Sequence, residues 1–175
     1  MGKLDTVTVN GPEGDVLDWD AVDWRRVEDD VRRLRQRIFT ATQAGDLKKV
    51  RNLQKLMLRS RSNALLSVRR VTEQNAGRKT AGVDGRVVLG AGEKAEMADW
   101  LQHGAAAWSP KPVKRVFIPK ANGKRRGLGI PVIADRALQA LTVGALDPSG
   151  RPGSNPDRMG SGRAAAARTR CRPSS

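Results

Sequence analysis

Trp24-Arg-Arg-Val-Glu-Asp-Asp-Val-Arg-Arg-Leu-Arg-Gln-Arg-Ile38 places its apolar side chains at Val27, Val31, Leu34 and Ile38, at spacings of four, three and four. With 3.6 residues per turn those positions form one stripe of an α-helix. Arg25, Arg26, Arg32, Arg33, Arg35 and Arg37 fill the flanks. The helical pattern starts near Trp19. It stops at Gly45, a residue that tolerates the left-handed backbone of a helix end, and Asp46 can cap a following helix. That second helix is predicted over Asp46–Asn75, with Val50, Leu53, Met57, Ala64, Val68 and Val71 on its buried face and Arg61 interrupting the stripe. Two long helices joined by a short glycine turn predict a basic antiparallel helical hairpin.

Working outward, residues 1–18 hold Gly11, Pro12 and Gly14 among several acids, without periodicity, and read as a disordered lead-in. After the hairpin, Ala76-Gly-Arg-Lys-Thr-Ala-Gly-Val-Asp-Gly85 is a turn-rich loop in which Gly82 and Gly85 permit positive φ. It is no P-loop, since no Gly-Lys-Ser/Thr follows it. Glu93 to Gln102 predicts a short helix with Met97 and Leu101 on one face. Val113 to Ile118 and Lys124 to Ile130 predict two strands around an Asn122-Gly123 turn. Pro131 can open a last helix at its first position, running through Ala137, Leu138, Leu141 and Ala145 to about Leu146. The fold class is α+β and mainly helical: a helical hairpin, then a two-stranded β-ribbon and a helix, with disordered termini.

Thirty-three Lys and Arg stand against eighteen Asp and Glu in 175 residues, a net charge of +15. Charge of that size, clustered on particular segments, fits a polyanionic partner, and nucleic acid is the commonest. Four Trp, two Phe and no Tyr argue against a sheet that stacks successive bases. Binding should therefore lean on phosphates and weaken with salt. One Cys (Cys171) and one His (His103) can build neither a disulfide nor a zinc site. Without a long apolar run or a signal-peptide pattern, the expected compartment is the cytoplasm and no membrane is involved.

The ribbon is the segment with the most chemistry in it. Lys111, Lys114, Arg115, Lys120, Lys124, Arg125 and Arg126 line it. Its basic rim can lay donors along a phosphate chain or around a triphosphate. The pattern fits equally an edge hairpin kept soluble by its charges.

Three further stretches decide between these. They are Arg59-Ser-Arg-Ser-Asn-Ala-Leu-Leu-Ser-Val-Arg-Arg-Val-Thr72, Thr80-Ala-Gly-Val-Asp-Gly85, and Val116-Phe-Ile-Pro-Lys-Ala-Asn-Gly-Lys-Arg-Arg126 with Leu128-Gly-Ile-Pro131. In order and spacing they resemble bacterial group II intron-encoded reverse transcriptases, or maturases, from about Trp19 to Pro148. The resemblance implies an N-terminal extension over residues 19–110 and the start of the fingers over 111–148. It implies that Lys120 and Arg126 hold the triphosphate of an incoming nucleotide, and that Asp135-Arg-Ala-Leu-Gln139 begins the fingers helix. The expected RNA contacts, to intron RNA and template, are Lys48, Lys49, Lys55, Arg59, Arg69, Arg70, Lys79, Thr80, Lys114, Arg115, Lys124 and Arg125. At Gly127 the family usually has proline, so the second strand loses some rigidity.

Past Pro148 the chain departs from the family. The family continues with a run such as Glu-Trp-Glu-Ala-Arg-Phe-Glu-Pro-Arg-Ser-Tyr-Gly-Phe-Arg-Pro, and far downstream with a Tyr-Ala-Asp-Asp metal site. Read one base out of register, the codons of Ser149-Gly-Arg-Pro-Gly-Ser-Asn-Pro156 permit Trp-Glu-Ala-Arg-Phe-Glu-Pro, and those from Arg158 to Arg163 permit Tyr-Gly-Phe-Arg-Pro. Residues 149–175 are therefore expected to be an out-of-frame, disordered tail.

The resemblance implies a parent activity of RNA-directed DNA polymerase and intron splicing. It also implies a palm whose carboxylates hold two Mg2+ ions. Without that palm the expectation is an RNA-binding fragment with no catalytic residue, metal or cofactor of its own, because neither Asp84 nor Asp135 has a partner carboxylate at metal-binding spacing. Two alternatives stand beside it: a stand-alone module that assists splicing, and a fingers fragment that completes a separately made palm chain. A missing palm would also leave Val132, Leu138, Leu141 and Leu146 of the last helix facing solvent, with marginal stability as the result.

Overall fold

A computed structural model describes residues 17–146 apart from Lys120 and Asn122. Most of the lead-in and the whole tail, residues 149–175, lie outside the described residues. The described part includes Leu17, which packs on the core. Helix α1 (Trp24–Gln43) begins at Asp23, whose carboxylate accepts from the Arg26 amide at 3.1 Å. Trp19 precedes the helix, buried against Trp24. At the other end Gly45 has φ +70°. Its amide donates to Thr42 O, and the Asp46 amide donates to Ala41 O, the double bond of a Schellman stop. The Asp46 carboxylate then accepts from the Lys49 amide at 2.9 Å and starts α2 (Leu47–Arg59). One dipeptide ends one helix and begins the next, which fixes a tight antiparallel turn.

The predicted single helix from Asp46 to Asn75 is divided. Ser60 is extended (φ −71°, ψ 125°), and its hydroxyl caps α3 (Arg61–Arg69) by accepting from the Asn63 amide. Met57 O, at the break, is satisfied. The buried Asn63 side chain donates to Met57 O at 3.1 Å and, across the fold, to Leu141 O at 3.1 Å. After α3 the backbone widens into a π turn (Arg70–Gln74), closed by the Asn75 amide on Arg70 O. The buried stripe runs through the break: Leu53, Met57, Ala64, Val68 and Val71 are all buried.

Helix α4 (Ala91–His103) starts where the Glu93 carboxylate folds back to accept from the amides of Leu89 and Gly90, each at 3.1 Å. These two bonds hold the Glu93 carboxyl below its usual range. Strands β1 (Lys114–Pro119) and β2 (Arg125–Ile130) pair antiparallel with Val116 opposite Leu128, Phe117 opposite Gly127 and Ile118 opposite Arg126. Gly123, at φ +75°, makes the turn. Helix α5 (Ile133–Leu146) begins two residues after Pro131, so that proline precedes the first turn instead of opening it.

Helix α3 is the centre of the larger core. Ala64, Leu65 and Val68 meet Val27 from α1, Met97 and Leu101 from α4, and Ile133, Ala137 and Leu141 from α5. Val31, Ile38, Leu53, Met57 and Ala145 form a second cluster inside the hairpin. The expectation of an uncovered last helix holds for Leu146 and is corrected for the other three positions. Val132, against the loop at Gly82, and Leu141, in the core with α3, are buried at 0% and 5% exposure, and Leu138 is half-buried. Only the far side of α5 stays open, with Val143 at 51% and Leu146 at 57%. No helix of the described residues is long and apolar enough to cross a membrane.

Candidate nucleic-acid interface

The sequence of α2, Leu-Lys-Lys-Val-Arg-Asn-Leu-Gln-Lys-Leu-Met-Leu-Arg, contains five cations and no acid. Lys48, Asn52, Lys55 and Arg59 recur at i, i+4, i+7 and i+11, so they share one face over about 16 Å. All four are exposed. Among the described residues none of the α2 cations has an ion-pair partner. On α1, by contrast, Arg32 pairs with Asp29 at 3.0 Å and Arg33 with Asp30 at 2.8 Å. The same residue type is therefore partly neutralised on the first helix and available on the second.

Arg69 belongs to the protein's own framework. Its guanidinium lies 4.4 Å from the Trp24 ring centroid, 3.0 Å from Glu28 and 3.5 Å from Glu73. Glu73 in turn accepts from Trp19 Nε1 and Lys94 Nζ, both at 2.9 Å. Partial burial would raise the Glu73 carboxyl, but the Lys94 and Trp19 bonds and the charges of Lys94 and Arg69 outweigh it and hold it below its usual range. Arg70, next in sequence, is half-buried outside that knot.

Lys79 and Thr80 are exposed on the loop, and Arg136, on α5, holds that loop in place. Arg136 donates to Pro131 O at 3.1 Å, to Gly77 O at 3.0 Å and to Thr80 O. Burial lowers the pKa of this guanidinium, and the charge of Asp84 works against the shift. Nothing local in the sequence marks Arg136, since its acceptors on the loop lie 56 to 59 residues away. Of the two loop glycines, Gly85 has the expected positive φ, +69°, and Gly82 does not. Gly82 is needed for close approach instead, because a Cβ there would sit 2.7 Å from Val132 Cα.

On the ribbon, Lys114, Arg115, Lys124, Arg125 and Arg126 are all exposed, while Lys120 falls outside the described residues. Alternation divides the ribbon into two faces. Lys114, Val116, Ile118, Arg126, Leu128 and Ile130 share one; Arg115, Phe117, Pro119, Arg125, Gly127 and Gly129 share the other. Both acids weighed as metal ligands have local hydrogen-bond partners. Asp84 accepts from the Arg86 amide at 3.2 Å. The buried Asp135 accepts from Trp108 Nε1 at 2.7 Å and from the Lys111 amide at 3.1 Å. Asp135 pins the entry of the ribbon to the first turn of α5.

Sequence comparison finds relatives of this chain. The family described as the N-terminal domain of reverse transcriptase covers residues 19–101. Maturase-like protein 1 of Euglena gracilis is 30% identical over 116 residues, 66% of this chain and 25% of that protein. Protein YkfC of Escherichia coli (strain K12) is 39% identical over 89 residues, 48% of this chain and 23% of its own. Maturase-like protein 1 of Euglena longa is 29% identical over 125 residues, 71% of this chain and 27% of its own. The chain thus spans about a quarter of the length of these relatives. Residues 19–101, with the helical hairpin, the loop and α4, belong to the N-terminal domain family of reverse transcriptases, in a chain similar to maturase-like proteins.

Proposed function

We propose that this chain binds structured RNA through the basic rail of α2 and the rim of the ribbon, as the RNA-engaging front of a group II intron-type maturase. The observation that supports it is the rail itself: Lys48, Lys55 and Arg59 on one face of a helix with five cations, no acid, and no ion pair to them among the described residues. Such a helix face is held at its charge until an outside polyanion neutralises it, and a phosphate chain fits its length. Arg126, exposed on the ribbon, suits the triphosphate role that the family resemblance gives it with Lys120. DNA synthesis and its Mg2+ ions we place outside residues 17–146, because Asp84 and Asp135 are committed to structural hydrogen bonds.

Filter binding to a group II intron RNA at rising potassium tests this reading. Affinity should fall linearly on logarithmic axes. Replacing Lys48, Lys55 and Arg59 with alanine should flatten the slope by about two to three units, since each phosphate left without its cation removes roughly 0.7–0.9. An affinity flat in salt, or a triple variant that binds like the parent, refutes it. The chain alone should extend no annealed primer.

A second reading has its own support. An open groove of about 850 Å³ runs along the outer side of α5, lined by Pro110, Val113, Leu138, Val143 and Leu146. A separately made palm-containing chain could seat there, and the fragment would then complete a polymerase. Co-expression with a palm segment, followed by primer extension, separates this from RNA binding alone.

A further inference from the structure

On the ribbon face opposite Arg126, Arg115 and Arg125 are expected phosphate contacts, but Phe117 between them has no role yet, and the composition there is unusual. Phe117 is 63% exposed, one of only two Phe in the chain. Its cross-strand partner is Gly127, and the next position on that side of β2 is Gly129, opposite Arg115. The Cε1 edge of the Phe117 ring lies 3.6 Å from where a Gly127 Cβ would stand, an ordinary separation. The ring edge therefore lies beside Gly127, where no side chain crowds it, while the Val113 side chain lies over Gly129. Arg115 lies two residues along the same strand and Arg125 diagonally across, each about 7 Å away by strand geometry. Every described residue on this face is exposed, whereas Val116, Leu128 and Ile130 on the other face are half-buried.

We infer that this face is a docking site for an unpaired RNA nucleotide. The Phe117 ring stacks on the base, and Arg115 and Arg125 take the flanking phosphates. The inference rests on the RNA-binding reading and adds a non-electrostatic interaction to it. An exposed aromatic ring offers a flat apolar surface to any base, and stacking needs no sequence. The two guanidiniums supply the charge that a nucleic-acid partner requires and that an apolar protein partner would not match. A duplex, whose bases are already stacked on each other, cannot use the site. The scarcity of aromatics in the chain excludes a multi-base platform but not a single-base one.

The test compares the parent chain with Phe117→Ala, Phe117→Leu and Phe117→Tyr. Each is titrated with three RNAs: a hairpin with an unpaired loop, the same hairpin with abasic loop positions, and a fully paired duplex. Circular dichroism melts confirm that each variant folds, which an exposed position should allow. Phe117→Ala and Phe117→Leu should bind the looped RNA about tenfold more weakly, within the range of a single base–aromatic stack. Phe117→Tyr should restore binding, and the salt slope should stay that of the parent. The difference should vanish on the abasic and duplex RNAs. Equal binding by Phe117→Ala and the parent on looped RNA overturns the inference while the α2 triple variant still reports on the underlying reading. Equal losses on all three RNAs overturn it too. A parent that sediments as a dimer and a Phe117→Ala that sediments as a monomer would make this face an interface between copies, and would overturn it. A parent that binds none of the RNAs overturns both readings.

Discussion

Replacing Gly82 with alanine places a methyl group 2.7 Å from Val132 Cα, 2.8 Å from Val132 N and 3.0 Å from Pro131 C. Carbon atoms pack best at about 3.5–4.0 Å, so the loop must retreat by roughly 1 Å. All three atoms are backbone at the entry of α5, where no side chain can swing aside. Forced overpacking of this kind costs about 1–3 kcal/mol. The retreat also pulls Gly77 O and Thr80 O from Arg136, and a partly buried guanidinium that loses acceptors costs roughly 1–3 kcal/mol more. The expected total is about 2–5 kcal/mol. Gly85→Ala is the control. Nothing lies within 4 Å of its new methyl, and its φ of +69° alone costs alanine about 1–2 kcal/mol. Urea unfolding followed by tryptophan fluorescence measures both, since Trp100 and Trp108 pack edge to face near this region. A Gly82→Ala chain no less stable than the parent, or more stable than Gly85→Ala, would refute the close-approach argument.

Three other outcomes follow from the same neighbourhoods. The depressed Glu73 carboxyl stabilises the fold fully above the unfolded value of about 4.3 and loses that contribution as pH falls through its lower folded value. From about pH 6 down to about pH 3 the parent should therefore lose melting temperature faster than Glu73→Gln, and parallel curves would count against the knot around Trp19 and Lys94. Asp135→Asn leaves one oxygen for two donors and should cost about 1–3 kcal/mol in urea, with loss of the near-ultraviolet dichroism of Trp108; an unchanged spectrum would contradict the hub role. Arg69→Ala should lower stability by roughly 1 kcal/mol with no change in RNA salt slope, and Lys55→Ala should do the opposite. The reverse pattern would exchange their roles.

Local signals in the chain were legible, and distant ones were not. Gly45-Asp46 announces a helix end and a new start because every bond involved spans five residues or fewer. The stripe through Val27, Val31 and Ile38 named half of the hairpin core, and Lys48, Lys55 and Arg59, expected to contact RNA, fall on one exposed face of α2. The break at Ser60 was hidden because the buried stripe keeps its phase through it, and Asn63 finds Leu141 only in three dimensions. Arg69 and Arg70 look alike in sequence; folding brings Trp24, Glu28 and Glu73 around the first alone. The glycines of the loop carry the same ambiguity. A sequence shows that Gly82 and Gly85 are both permissive, but the reason at Gly82 is the backbone of Val132, about fifty residues on.

The bond from Asn63 to Leu141 also orders events in time. The Asn63 side chain that closes the end of α2 on Met57 O also donates to a carbonyl made 78 residues later. During synthesis the basic hairpin emerges first and waits with Met57 O shared and the Leu141 partner unmade, while α3 has only one flank covered. Closure of the core then comes as a single late event, when α5 clears the ribosome. Nascent chains stalled before residue 133 should accordingly be cut by protease within the hairpin, and chains stalled well beyond 146 should resist; protection that rises gradually with length would show that the hairpin settles by itself.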